Sequence, residues 1–174
     1  MQSSDPLDPD CKAFEELYTT NVLTPLRLSK TFAGRLIQQA EEAGSDAPAG
    51  AIVNVTSIAA RRTLPDLVAY SVASAAVDQM TRSLAVAYAK YRIRVNAIAL
   101  GSVMSSSLQS ALKTDGALHE ELRAVTPLGR IGEADEAAEV ALFLASQGAS
   151  FVTGQIVAVD GGRTMLDPLD IPAH

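Results

Sequence analysis

Ser57 and Tyr70, thirteen residues apart in this 174-residue chain, carry hydroxyls that could bind an oxygen and move a proton, although their spacing alone means little. A phenol titrates near ~10, so a tyrosine exchanges protons at neutral pH only if a nearby cation stabilises its phenolate. A serine hydroxyl can hold a substrate oxygen where charge develops. An asparagine such as Asn21 can anchor a water for a proton relay. Each has a plainer reading. Asn21 could kink or cap a helix, Ser57 could cap a strand end, and Tyr70 could be a packed aromatic at a helix start. The lysines are Lys12, Lys30, Lys90 and Lys113, none of them near Tyr70 on its helix. Arg61 and Arg62 precede it in the chain.

Composition excludes other chemistries. A net charge of -6 argues against a nucleic-acid partner, which needs a basic face. Cys11 is the only cysteine, so neither an internal disulfide nor a cysteine-based zinc site is expected, and no metal is implied. The two histidines, His119 and His174, do not suggest a histidine-based site. No apolar run has the length of a membrane span, so no membrane partner is expected. Residues 1–12 are polar, with prolines and acids, and lack the pattern of a secretory signal. A cytoplasmic location is the resulting expectation.

The elements that must position Ser57 and Tyr70 follow from periodicity. Apolar residues recur at helical spacing through Phe14, Leu17, Tyr18 and Val22, then Leu26, Phe32, Leu36 and Ile37, with Pro25 marking a break or a helix start. Residues 41–50 form a loop. Ala51 to Thr56 is a buried strand that Ser57 ends. Tyr70, Ala73, Val77, Met80, Leu84 and Ala87 line one helix face. Arg94 to Leu100 is a second strand, ended by Gly101. A loop with a helical insertion follows over residues 102–132, then a helix from Glu133 to Ala145. The third strand is Gln155 to Val159. This order predicts an α/β fold with right-handed crossovers, a parallel sheet covered on both faces, and ligands at the carboxyl ends of the strands.

Several segments resemble the short-chain dehydrogenase/reductase family. They are Thr20-Asn21-Val22, the strand from Gly50 to Ser57, Ala69-Tyr70-Ser71, and Ile93-Arg94-Val95-Asn96-Ala97-Ile98-Ala99-Leu100-Gly101. Thr126-Pro127-Leu128-Gly129-Arg130-Ile131-Gly132, Phe143-Leu144-Ala145-Ser146, Thr153-Gly154-Gln155 and Asp160-Gly161-Gly162 continue the match. The order and spacing of these pieces carry the resemblance from about Phe14 to Arg163. Within the family the chain is most similar to the beta-ketoacyl carrier-protein reductase and hydroxysteroid dehydrogenase branch. The resemblance implies a Rossmann-type sheet and NAD- or NADP-dependent oxidoreduction of a small carbonyl or alcohol. It makes Tyr70 the acid-base group, Ser57 the oxygen binder and Asn21 the relay residue. Tyr70, Gly101, Val103 and Ser105 would contact the cofactor, although Ser105, Ser106 and Ser107 compete for that last role and any could cap a helix. The segment from Gly101 to Val125 would cover the substrate.

Departures accompany the match. The family's Tyr-x-x-x-Lys has Ser74 at the lysine position, and Leu100 replaces a proline. No Gly-x-Gly pattern occurs, so the glycine-rich turn that holds a dinucleotide's pyrophosphate on a helix N-terminus is not found. The expectation is one partial Rossmann-type domain over residues 1–174. It would begin after the family's fourth strand, with flexible ends at about 1–12 and 166–174. Two readings stay open: an oxidoreductase, or a truncated and catalytically impaired relative acting through subunit association. Homo-oligomers are expected either way, because the strand ending in Thr56 would be an apolar sheet edge.

Overall fold

The computed structural model describes residues 7, 10–44 and 46–167. Residues 1–6, residues 8 and 9, and the end of the tail from 168 onward, for which irregular structure is expected, lie outside the described residues. The chain opens with helix α1 (Lys12–Tyr18), a π-helical turn (Thr19–Leu23) and helix α2 (Thr24–Glu42). Strand β1 (Gly50–Ser57), a 3-10 turn (Ile58–Ala60) and helix α3 (Val68–Ala89) follow. Then come β2 (Ile93–Leu100), α4 (Ser106–Thr114), α5 (Leu118–Ala124), α6 (Ala134–Ala145) and β3 (Ile156–Val159). Each strand and helix expected from the sequence is present, within two or three residues at its ends. The region expected to hold one helical insertion holds two, α4 and α5.

The sheet is parallel, in the order β1-β2-β3. The pleat sends alternate residues to opposite faces. On one face Ile52, Ile93 and Val95 pack with Ala33 and Leu36 of α2 and Leu84 and Ala85 of α3. On the other, Val53, Ile98, Leu100, Val157 and Val159 pack with Ala137, Val140 and Leu144 of α6. These faces correct one expectation. The chain steps in one direction, β1 to β2 to β3, yet its connecting helices α3 and α6 lie on opposite faces. Two such parallel connections cannot share a hand, so the crossovers are not both right-handed. The preference for one hand comes from a twisted strand feeding a helix directly back onto the sheet. The route from β2 to β3 instead spans residues 101–155 and passes through α4 and α5 first.

Pro25 falls in the first turn of α2, where its missing N–H costs least. The break it signals is the π-helical turn just before it. Val22 of that turn packs against Ala73 and Val77 of α3, and α1 lies along α3 as well.

Candidate active site

Ser57 is the last residue of β1 and caps the 3-10 turn, accepting from the Ala59 N–H at 3.1 Å. Its hydroxyl donates to the Leu100 carbonyl at the end of β2, at 3.5 Å. It is buried. Tyr70 is half-buried in the first turn of α3, against which the 3-10 turn packs. Asn21 is half-buried in the middle of the π-helical turn. Such turns are uncommon and tend to occur at functional sites. Ser57 lies at the carboxyl end of β1, and the 3-10 turn after it and the π-helical turn bearing Asn21 both pack on α3, the helix that carries Tyr70.

Ser74, at the family's lysine position, is 6% exposed. Its hydroxyl donates to the Tyr70 carbonyl at 2.8 Å, one turn back along α3. Its carbonyl accepts from the Thr56 hydroxyl at 3.1 Å. Ser74 is therefore built into the contact between α3 and β1 and presents no cation to Tyr70. Arg62 donates to the Thr164 carbonyl at 2.7 Å and to the Leu166 carbonyl at 3.3 Å, fastening the tail.

The remaining candidates have local roles. A Cβ on Gly101 would lie 2.6 Å from Asp160 Cβ and 2.7 Å from its Cα, so only glycine allows that approach. Val103 bridges to Gly132 and packs against the α6 cluster. Ser105 caps α4, accepting from the Leu108 N–H at 3.2 Å. Burial opposes ionisation of Asp160, but bonds from Thr164 and Gly162 and the charge of Arg163 outweigh it. They hold its carboxyl below the usual value.

Asp78 carried no signal in the sequence. It is 5% exposed on α3, and its Oδ1 has no hydrogen-bond partner. Burial pushes its pKa up, against the opposing influence of the Thr56 hydroxyl and the charges of Arg61 and Arg82. Nearby, Asn54 of β1 donates to Thr81 of α3 at 2.9 Å, and Ser71 has a buried hydroxyl without a partner. A cavity of about 500 Å3 lies away from Ser57 and Tyr70, between the outer edge of β1 and α2. Pro25, Leu28, Phe32 and Leu36 line it on the helix side, and residues 51–55 on the strand side. Among the described residues no helix is long and apolar enough to cross a membrane.

Residues 5–164 match the family described as Enoyl-(Acyl carrier protein) reductase. An uncharacterized oxidoreductase of Thermotoga maritima is 38% identical over 154 residues, covering 87% of this chain and 58% of the relative. A protein of Xanthobacter autotrophicus named inactive 2-(S)-hydroxypropyl-CoM dehydrogenase 2 is 41% identical over 120 residues, covering 67% of this chain and 52% of the relative. Among solved structures, a gluconate 5-dehydrogenase from Burkholderia cenocepacia, in complex with NADP and tartrate, superposes with a TM-score of 0.82 at 30% identity. That match covers 95% of this chain and 62% of the other. The chain thus spans less than two thirds of the length of these relatives. With a parallel α/β sheet and these matches, the chain belongs to the short-chain dehydrogenase/reductase family.

Proposed function

We propose that this chain carries the oxygen-handling part of a site that interconverts a small-molecule carbonyl and its alcohol. The observation that supports the reading is that the turn following Ser57 and the turn bearing Asn21 both pack on α3, the helix of Tyr70. Ser57 would hold the substrate oxygen, the Tyr70 hydroxyl would give or take the proton there, and Asn21 would anchor the water that exchanges it. NAD or NADP, the cofactor the family implies, would supply or accept hydride.

The residues of this chain do not by themselves fit that cofactor. Gly101 is filled by Asp160, the Ser105 hydroxyl caps α4, and Ser74 offers neither charge nor a free hydroxyl. No glycine-rich turn is present to receive a pyrophosphate. A second reading is therefore a catalytically impaired relative that acts through self-association; a similar Xanthobacter protein is itself named inactive. One experiment separates the two: titration of the purified 174-residue chain with NADH and NADPH. No binding in the micromolar range is expected. Micromolar affinity would restore the enzyme reading for this chain alone. Ser74→Lys by itself should give no turnover with any carbonyl substrate, because it supplies a cation but no cradle. Measurable NADPH oxidation by that variant would mean that the cofactor site lies elsewhere on the chain.

A further inference from the structure

The stretch between Ser57 and Tyr70 sets how those two side chains sit relative to each other. Past the 3-10 turn, residues 61–66 are all exposed. The backbone bonds here are local: the N–H groups of Arg61 and Arg62 donate to the Ile58 carbonyl, and that of Leu67 to the Leu64 carbonyl. Local bonds of this kind leave a loop's course weakly fixed. Arg62 reaches out of the loop. Its Nη2 donates to the Thr164 carbonyl at 2.7 Å and to the Leu166 carbonyl at 3.3 Å. Thr164, 7% exposed, belongs to a turn held against the end of β2. The Thr164 and Gly162 N–H groups donate to the Asp160 carboxylate at 2.8 and 3.0 Å. Arg163 donates to the Ser102 hydroxyl at 2.8 Å, and Asp160 packs on Gly101. The contacts close a circuit. It runs from Ser57 through Ile58, Arg62, Thr164, Asp160 and Gly101 to Leu100, whose carbonyl accepts from the Ser57 hydroxyl.

We propose that Arg62 is a positioning residue for the Ser57–Tyr70 pair: by gripping the carbonyls of Thr164 and Leu166 it fixes the loop joining the two against the end of β2. The proposal rests on Ser57 and Tyr70 being the site. A guanidinium suits the task. Two hydrogens on one nitrogen meet two carbonyls, and a charged donor binds a carbonyl more strongly than a neutral one. A lysine would bring the charge without the planar fork. Losing the grip leaves the β1–β2 ladder intact, because Ser57 and Leu100 are paired through the backbone. The loop, the first turn of α3 and the turn at 160–166 are what it frees.

Amide NMR and hydrogen exchange on the whole chain test this. In Arg62→Ala the Ser57 and Tyr70 amides should shift. The amides of Ser71, which bonds back to the Leu67 carbonyl, and of Thr164 should exchange about tenfold faster, while Ala97 and Gly154 in the sheet keep their rates. Ethylguanidinium should reverse these changes and ethylammonium should not, and Arg62→Lys should fall between the two proteins. Unmoved Ser57 and Tyr70 signals in Arg62→Ala would overturn the proposal. So would equal acceleration at Ala97 and Gly154, which would make Arg62 a general stabiliser, or equal reversal by ethylammonium, which would reduce its role to charge. Should the alanine variant fail to fold, Arg62→Lys decides on the same amides. The titration with NADH and NADPH decides the enzyme reading and these spectra decide the tether, so either can fail alone.

Discussion

At Asp78 the protein holds a carboxyl group that is 5% exposed, with one oxygen unbonded. Its raised pKa has a consequence for stability. A carboxyl that binds its proton more tightly when folded contributes its full stability below the unfolded value of about 3.9. That contribution is lost as pH rises through the higher folded value. Asp78→Asn should therefore gain stability relative to the native chain as pH is raised from 4 to 8, and the gap should close below pH 4. The gain should be about 1–3 kcal/mol, the usual cost of an unsatisfied buried polar group. Urea unfolding at a series of pH values would measure it, and a gap independent of pH would contradict it. The positions of Ser57 at a strand end and Tyr70 at a helix start were legible in the sequence because each ends or begins an element with clear periodicity. Asp78 was not. Helical periodicity marks the apolar face through Ala73, Val77 and Met80, and Ser74, Asp78 and Thr81 then pass for a solvated face. In fact Thr81 and Ser74 bond to Asn54 and Thr56, two polar residues of β1 that its apolar composition overshadows, and Asp78 is buried as well.

Between elements, Arg94 and Asn96 join what the topology separates. The Arg94 guanidinium donates to the carbonyls of Leu144, Ala145, Ser146 and Val152, at 2.7, 3.3, 2.9 and 3.4 Å. Two of those carbonyls close the last turn of α6, where a cation also suits the helix dipole. Asn96 is fully buried, donates to the Val152 carbonyl at 2.8 Å and accepts from the Gln155 N–H at 3.0 Å. Together they clamp α6 and the approach to β3 onto β2. Arg94→Ala should lower stability by about 2–4 kcal/mol, because it strips a charged donor from several partly buried carbonyls at once. Chemical denaturation would show the loss, and a change under 0.5 kcal/mol would mean that water replaces the guanidinium. The sequence placed this segment correctly as a strand. It could not show what the arginine and asparagine hold, because their partners lie about fifty or more residues away. The same holds for Arg130, whose forked contact with Glu136 at 2.6 Å holds that carboxyl down to about 2. In sequence it is only part of a recurring segment.

For the whole molecule, the sheet order leaves the outer side of β1 without a neighbouring strand among the described residues. Val55 on that strand is 62% exposed, and Leu28 and Phe32 across the cavity are 51% and 53% exposed. An unpaired apolar edge beside an apolar groove favours association with another chain. We expect the protein to self-associate at micromolar concentration, and Val55→Lys to shift it toward the monomer in sedimentation velocity. Identical profiles for the two proteins would place any association elsewhere. The α/β class and the three parallel strands were readable from short β-branched runs alternating with helical periodicity. The hand of the crossovers was not, because periodicity shows which residues are buried but not which face of the sheet a helix covers.

The π-helical turn at Thr19–Leu23 sets the relation between α1 and α2. α1 lies along α3, whereas α2 reaches over β1, although the helical backbone is continuous from Lys12 to Glu42. A wider turn holds one residue more than a regular one, and each residue of an α-helix turns the next by about 100°. The extra residue therefore acts as a phase shifter, letting one unbroken rod present different stripes to two different surfaces. Deleting a single residue within 19–23 would bring both halves into one helical phase. Val22 could then stay against Ala73 and Val77 only if Ala33 turned away from Ile93 and Val95.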